Sequence, residues 1–271
     1  MKKYLIAVDL EGIHGIKGVP NESLKTEEPD YNLSIENATK EINVLVKALF
    51  DKEADQVSVW DNHWQGKNID FSKVDPRAVK VENVNNGRYH RFAFAKDKEY
   101  DGIFYIGYHA REGTINGVLA HTYSSQAIQY YEINGKQYGE CEIDSFIASE
   151  KHMRPMMISS DDVCVNKVHE TIPNLPFVIT KIGKGRNEAE FFPEDIVLKQ
   201  LYSEAQKACD IFIKPISLKY PAILKIRFTR PEEALRRMNI AHKYNLDTKY
   251  GEDSHIIVTT INQAEDLELF L

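Results

Sequence analysis

The chain contains few cysteines, and their spacing excludes the common cysteine-based sites. Its 271 residues include three cysteines, Cys141, Cys164 and Cys209, and no two of them have the C-x-x-C spacing of a structural zinc knuckle. Three thiols so placed also argue against a disulfide framework. We therefore expect free thiols in a reducing compartment.

The chain also lacks a long apolar run and an excess of positive charge. The apolar run that follows Met1-Lys2-Lys3 ends at Asp9, which is too short for the core of a signal peptide, and no stretch approaches the ~20 apolar residues of a membrane span. Asp and Glu outnumber Lys and Arg by 41 to 34, the formal net charge is -7, and no basic patch stands out. These absences predict a cytoplasmic protein that binds neither membranes nor nucleic acids.

Apolar runs that alternate with helical periodicity predict an α/β fold with a mostly parallel central sheet and flanking helices. Strands are predicted at Lys3–Val8, Gln56–Trp60 and Gly102–Ile106, and an amphipathic helix at Leu33–Asp51. A hairpin is predicted around the turn Asn134-Gly135. Because the composition changes at residues 183–186, we expect an α/β catalytic domain at 1–187 and a smaller α+β lobe at 188–271.

Polar residues follow three of the predicted strands at the point where each strand ends. Asp9 and Glu11 come after the first strand, His63 after the second and His109 after Gly102–Ile106. The carboxyl ends of the strands are where open α/β sheets hold their ligands. We therefore expect these side chains to converge on one site.

Asp9 and Glu11 are predicted to point the same way, because one residue separates them in an extended strand. Two carboxylates on one face repel unless a positive charge lies between them, and a divalent metal supplies such a charge. A helix cap or a solvated strand end are the alternatives for this pair.

Histidines and one further carboxylate complete the candidate set. His63 follows Asp61, which is placed to orient its imidazole. His109 and His121 are joined by a glycine-containing loop and lack the helical spacing of the H-E-x-x-H signature. Glu140 follows the predicted hairpin. Taken singly, each of these residues also fits a structural or solvated role.

Three carboxylates with two or three histidines favour Zn²⁺ or another transition metal over Mg²⁺, because imidazole ligands are present. Five or more ligands exceed the needs of one tetrahedral zinc, so the set fits a two-metal site with a bridging carboxylate. The remaining histidines have no ligand context; they are His14, His90, His152, His169, His242 and His255.

These motifs resemble those of the D-aminopeptidase family typified by DppA. The resemblance is carried, in the same order, by residues 5–13, 61–63, 107–111, 117–122, 139–140 and 161–162. It implies a centre of two zinc ions per chain, with Asp9 as the bridging ligand. Glu11 and His63 would complete one side of this centre, and His109 and Glu140 the other.

The resemblance also implies that His121 is the catalytic residue, either as a nucleophile or as an acid–base group. Because His121 follows a glycine-containing loop, we expect it to stand apart from the ligands and to approach the substrate. The family further implies short peptide substrates with an N-terminal D-residue, such as D-Ala-D-Ala, and a ring-shaped homodecamer.

The sequence therefore predicts a dinuclear zinc aminopeptidase or amidohydrolase. One alternative is a metal hydrolase that acts on another amide or on a phosphoester, for which Arg111, Lys184 and Arg186 are the candidate anion-binding residues. A second alternative is a catalytically silent, metal-stabilised ring that serves as a scaffold.

Overall fold

The computed structural model describes residues 1–83 and 91–271, which contain twelve strands and five α-helices. The strands are β1 (Lys3–Val8), β2 (Gln56–Asp61), β3 (Val79–Lys80), β4 (Gly102–Ile106), β5 (Ile128–Ile133), β6 (Lys136–Gln137), β7 (Arg154–Asp161), β8 (Phe177–Gly185), β9 (Glu188–Phe191), β10 (Ala222–Phe228), β11 (Thr248–Tyr250) and β12 (Ile256–Ile261). The helices are α1 (Tyr31–Asp51), α2 (Glu140–Glu150), α3 (Asp162–His169), α4 (Glu194–Asp210) and α5 (Pro231–Lys243). None of the helices in these residues is both long enough and apolar enough to cross a bilayer.

Seven strands form a central sheet in the order β3-β2-β1-β4-β7-β8-β9, and all of them except the edge strand β9 run parallel. A parallel sheet is covered on both faces, so its strands carry continuous apolar runs. In β1, Leu5 and Ala7 point into one hydrophobic core, while Tyr4, Ile6 and Val8 point into the other. The predicted α/β fold with a mostly parallel sheet is confirmed.

Different layers cover the two faces of this sheet. Helices α1 and α4 cover one face, and they pack against each other. Helices α2 and α3 cover the other face together with a second, antiparallel sheet in the order β11-β12-β10-β5-β6. This second sheet takes strands from both sides of position 187, while β9 and α4 lie in the layers of the central sheet. The division into domains at 187/188 stays a prediction.

A buried lysine on β8 fixes the loop that follows β1. The Lys181 Nζ donates hydrogen bonds to the backbone carbonyls of Glu11, Ile13 and Ile16, the last two at 2.9 and 2.6 Å. The side chain has no exposed area, and this burial lowers the pKa of Lys181 to about 8. Buried carbonyl groups need donors, and one ammonium group serves three of them. Lys181 thereby holds the segment that presents Glu11.

The substitution Lys181→Met is expected to lower the free energy of unfolding by about 3 kcal/mol, because three buried carbonyls lose their donor. Lys184→Met is the matched control, since Lys184 lies on the same strand and its side chain is 48% exposed beside Glu190. We expect the control to change stability by less than about 0.5 kcal/mol. Urea unfolding in the presence of a chelator measures both variants without a contribution from bound metal. Equal stabilities of the two variants would contradict the role given to Lys181.

Candidate metal centre

The carboxyl ends of three neighbouring strands meet at one point of the central sheet. Strand β1 lies between β2 and β4, and its last residue, Val8, is paired with the last residue of each neighbour. The chain therefore leaves the sheet at the same level three times. Asp9 and Glu11 follow β1, His63 follows β2 and His109 follows β4. The predicted convergence of these strand ends is a feature of the structure.

Two glycines bring the segments after β1 and β4 into direct contact. The N–H of Gly12 donates to the carbonyl of Gly107 at 2.7 Å. A Cβ atom on Gly12 would lie 2.0 Å from the Tyr108 carbonyl oxygen, and Gly107 adopts a φ of +69°, which favours glycine. This close approach sets Glu11 and His109 beside each other.

Two further side chains reach the site from outside these strands. Glu140 is the first residue of α2, where a negative charge is favoured by the helix dipole, and its Oε1 accepts the backbone N–H of Tyr123 at 2.7 Å. His121 lies in the connection between β4 and β5. Its ring stacks on that of His109 with centroids 3.9 Å apart and planes 9° apart. The expectation that His121 stands apart from the proposed ligands is therefore wrong.

Each of the three carboxylates lies within ion-pair distance of two of the three imidazoles. The Asp9 Oδ1 is 3.0 Å from His63 Nδ1, while its Oδ2 is 3.6 Å from His109 Nε2. The other separations are 3.4 Å for His63 Nδ1–Glu11 Oε2, 3.1 Å for His109 Nε2–Glu140 Oε1, 3.7 Å for His121 Nε2–Glu140 Oε1 and 4.0 Å for His121 Nε2–Glu11 Oε1. All six predicted site residues are thus brought together.

Backbone carbonyls orient all three imidazoles. The carbonyl oxygens of Leu24, Ala110 and Leu119 lie 2.9, 3.0 and 2.9 Å from His63 Nε2, His109 Nδ1 and His121 Nδ1, respectively. A carbonyl can only accept, so each of these ring nitrogens carries a hydrogen. The opposite nitrogen of every ring then faces the carboxylates. Fixing one imidazole nitrogen in this way is typical of metal-ligating histidines.

Burial and mutual repulsion perturb the protonation of these groups. Burial raises the pKa of Asp9 to about 7, and the negative charge of Glu11 adds to the effect. Burial alone would lower the pKa of His109, but the carboxylates of Glu140, Glu11 and Asp9 together outweigh burial and raise that pKa to about 10. Burial and the positive charge of His109 lower the pKa of His121 to about 4. Despite burial, the carboxylates of Glu11 and Asp9 also raise the pKa of His63 well above its usual value. The buried carboxylates thus favour positive charge at the positions around them.

The residues present fit divalent transition-metal ions. The Nε2 of His109 is fully buried and lacks a well-directed hydrogen-bond partner, as expected for a nitrogen whose partner would be an ion. Three overlapping sets place three ligand atoms each within 4.8 Å of one another: Asp9, Glu11 and His63; Asp9, His109 and Glu140; and Glu11, His109 and His121. Mixed imidazole and carboxylate ligands suit zinc and other transition metals.

Asp61 does not orient His63, contrary to the prediction from their spacing. Its carboxylate accepts hydrogen bonds from the backbone N–H groups of Asn68 and Ile69 and from the Asn68 side chain. The orienting role belongs to the Leu24 carbonyl in the long connection between β1 and α1. A backbone acceptor leaves no side-chain signal in a sequence, so this partner could not be predicted.

A buried ion pair beside the site also escaped the sequence analysis. Arg91 binds Asp144 in a bidentate manner at 2.8 and 2.6 Å, and Asp144 accepts the hydroxyls of Tyr108 and Tyr123 at 2.8 and 3.0 Å. Asp144 lies one helical turn after Glu140 on α2, so both face the same side. The i, i+4 spacing of Glu140 and Asp144 is the signal in the sequence that could have placed Asp144 beside the site.

A cleft of about 280 Å³ opens over the centre. Five of the six proposed site residues line it: Asp9, Glu11, His63, His121 and Glu140. The other described histidines lie in none of the ligand clusters, and each hydrogen-bonds elsewhere; these are His14, His152, His169, His242 and His255. His90 lies outside the described residues.

Sequence comparison assigns the chain to a family. The family model described as D-aminopeptidase matches residues 1–248, and the chain therefore belongs to the D-aminopeptidase family. This membership identifies a metallo-aminopeptidase, a hydrolase that acts at the amino end of its substrates. The match continues well beyond residues 161–162, the last of the resembling motifs.

Among solved structures, the chain is similar to the Zn-dependent D-aminopeptidase DppA from Bacillus subtilis, which is described as a self-compartmentalizing protease. The two share 20% sequence identity and superpose with a TM-score of 0.86, over 100% of this chain and 94% of that one. At this level of identity the likeness establishes the fold. A comparison with curated protein sequences finds no match.

Proposed function

We propose that the protein is a dinuclear zinc aminopeptidase that hydrolyses short peptides or amides with an N-terminal D-amino acid. The observation that carries the proposal is the set of three imidazoles, each fixed by a backbone carbonyl, that faces three buried carboxylates at the end of one cleft. Membership of the D-aminopeptidase family and the likeness to a zinc-dependent member support the metal and the reaction.

In the proposed centre, Asp9 is shared by the two ions. Its two oxygens face different histidines, which is the arrangement that a bridging carboxylate needs. Glu11 and His63 then complete one ion site, and His109 and Glu140 the other. Both of these sets bring their ligand atoms within 4.8 Å of one another together with Asp9.

When bound, zinc polarises a substrate carbonyl and lowers the pKa of a coordinated water to about 7. His121 is the proposed catalytic residue. Its Nδ1–H is committed to the Leu119 carbonyl, so its Nε2 is free to take up a proton and return it. His121 lines the cleft and its side chain is 14% exposed, whereas His109 is buried beneath it. The acidic inner end of the cleft suits the free amino group of a peptide.

The three basic residues named for the phosphoesterase alternative, Arg111, Lys184 and Arg186, do not line the cleft. Arg111 donates to the Glu112 carbonyl and to Gln137, Lys184 lies beside Glu190, and neither lines the cleft. Arg186 donates to a backbone carbonyl of the loop before His121. The intact set of six site residues likewise gives no support to a silent scaffold.

We further propose that the chain assembles into a ring-shaped homo-oligomer, a decamer, in the cytoplasm. The solved relative is described as self-compartmentalizing, which requires an assembly that encloses its active sites. Apolar side chains on the surface supply a contact for a second copy, since Phe191, Phe192 and Ile196 are each between 37% and 41% exposed near the start of α4.

The reaction is tested with matched D- and L-aminoacyl amides and dipeptides, assayed on one preparation before chelation, after chelation and after zinc is restored. We expect hydrolysis of substrates with an N-terminal D-residue, loss of activity with the chelator and recovery with zinc. Full activity in the absence of metal would contradict the proposed centre. A clear preference for L-substrates would leave the metal centre in place and contradict the proposed specificity.

The substitution His121→Asn is expected to lower kcat by about 10²–10⁴, which is typical for loss of an acid–base or nucleophilic group. The change should appear in kcat more than in KM, because the group acts mainly in the transition state. His152→Asn is the control, since His152 is exposed and bonded to Asp97. Kinetics and metal content are measured on the same samples. Near-normal turnover would rule out the catalytic role, and loss of an ion would make His121 a ligand.

A further inference from the structure

We propose that Lys25 is a specificity-determining residue that binds the C-terminal carboxylate of a short peptide substrate. The inference rests on the proposed aminopeptidase function and assigns the end of the substrate that lies away from the metal centre. An enzyme built in this way prefers a peptide with a free carboxylate to the same peptide with an amidated end.

The position of Lys25 follows from its neighbour in the chain. The Leu24 carbonyl lies 2.9 Å from the His63 Nε2, which ties this segment to the metal centre. The backbone N–H of Lys25 itself donates to Glu28 at 2.7 Å. The Lys25 carbonyl accepts the backbone N–H of Glu28 at 3.0 Å. The main chain is thus fixed on both sides of the Lys25 Cα, and Lys25 lines the same cleft as His121.

Lys25 is a cation of the cleft that is available to a ligand. Among the described residues, two basic side chains line the cleft, Lys25 and Arg91, and Arg91 is occupied by its bidentate pair with Asp144. Among residues 1–83 and 91–271, no acidic side chain forms an ion pair with Lys25. Its Nζ lies 5.6 Å from the centroid of the Trp64 ring. Charge-assisted hydrogen bonds to carboxylates are the strongest contact such an ammonium group can make.

The remaining walls of the cleft suit the other parts of a short peptide. Ser23 and Ser125 bring their hydroxyls to 3.4 Å from each other, so the two loops that border the cleft meet there and offer neutral donors. Trp64 lines the cleft and is 54% exposed, so part of its ring surface is open to an apolar side chain of the substrate. A cleft of about 280 Å³ is at the small end of the range for ligand sites. The cleft therefore holds both acidic site residues and the basic Lys25, which match the two charged ends of one small substrate.

The test compares D-alanyl-D-alanine with D-alanyl-D-alaninamide, which differ in the charge of one end. For zinc-loaded wild type we expect a higher kcat/KM with the free acid. Lys25→Met should lower kcat/KM for the acid by about 10- to 100-fold, as expected for loss of a charge-assisted hydrogen bond. The fold-decrease in kcat/KM for the amide should be at least ten times smaller. Lys25→Arg should retain most of the preference. Lys17→Met is the control, because Lys17 is exposed in the same loop and does not line the cleft.

Titration calorimetry with the same two peptides separates binding from hydrolysis. In a His121→Asn background, tighter binding of the acid than of the amide, abolished by Lys25→Met, would support the inference. Equal binding of the two peptides, or a preference that survives Lys25→Met, would overturn it. Failure of zinc-loaded wild type to hydrolyse either peptide would instead contradict the proposed function, and the calorimetric result would still decide the role of Lys25.

Discussion

The burial of three carboxylates at one edge of a sheet is the constraint on which the site depends. Asp9, Glu11 and Glu140 are exposed by 3%, 2% and 5%, and removing such groups from water costs several kcal/mol each unless positive charge compensates them. The buried ammonium group of Lys181 is committed to backbone carbonyls. Fixed hydrogen bonds to other carbonyls aim the second nitrogen of each imidazole at the carboxylates. A site with this charge balance calls for cations, and its geometry matches divalent metal ions.

The parts of the site that could be predicted from sequence are those in which a side chain directly follows a buried strand. The predicted strand Lys3–Val8 is identical to β1, and the parallel pairing of β1 with its two neighbours places Asp9, His63 and His109 at one level. Glu140 was a weaker case. Helix α2 begins at this residue, and its N-cap is Gly139, which has no side chain to mark the helix start in the sequence.

The parts that could not be predicted depend on contacts between residues far apart in the chain. Lys181 meets the loop after β1 across about 170 positions, and no local pattern distinguishes it from a surface lysine. The predicted hairpin of β5 and β6 is present, but the pairing of β5 with β10 that builds the second sheet has no signature in either segment. The Leu24 carbonyl shows the same limit, because any residue type could supply that oxygen.

The central claim is that Asp9 is the ligand shared by two ions, and metal content per chain tests it most directly. Wild type, Asp9→Ala and Glu11→Ala would be dialysed together against zinc and then against metal-free buffer, and zinc would be counted by mass spectrometry. The account predicts about two ions per chain in wild type, about one in Glu11→Ala and almost none in Asp9→Ala. Retention of two ions by Asp9→Ala, or a single ion in wild type, would contradict it.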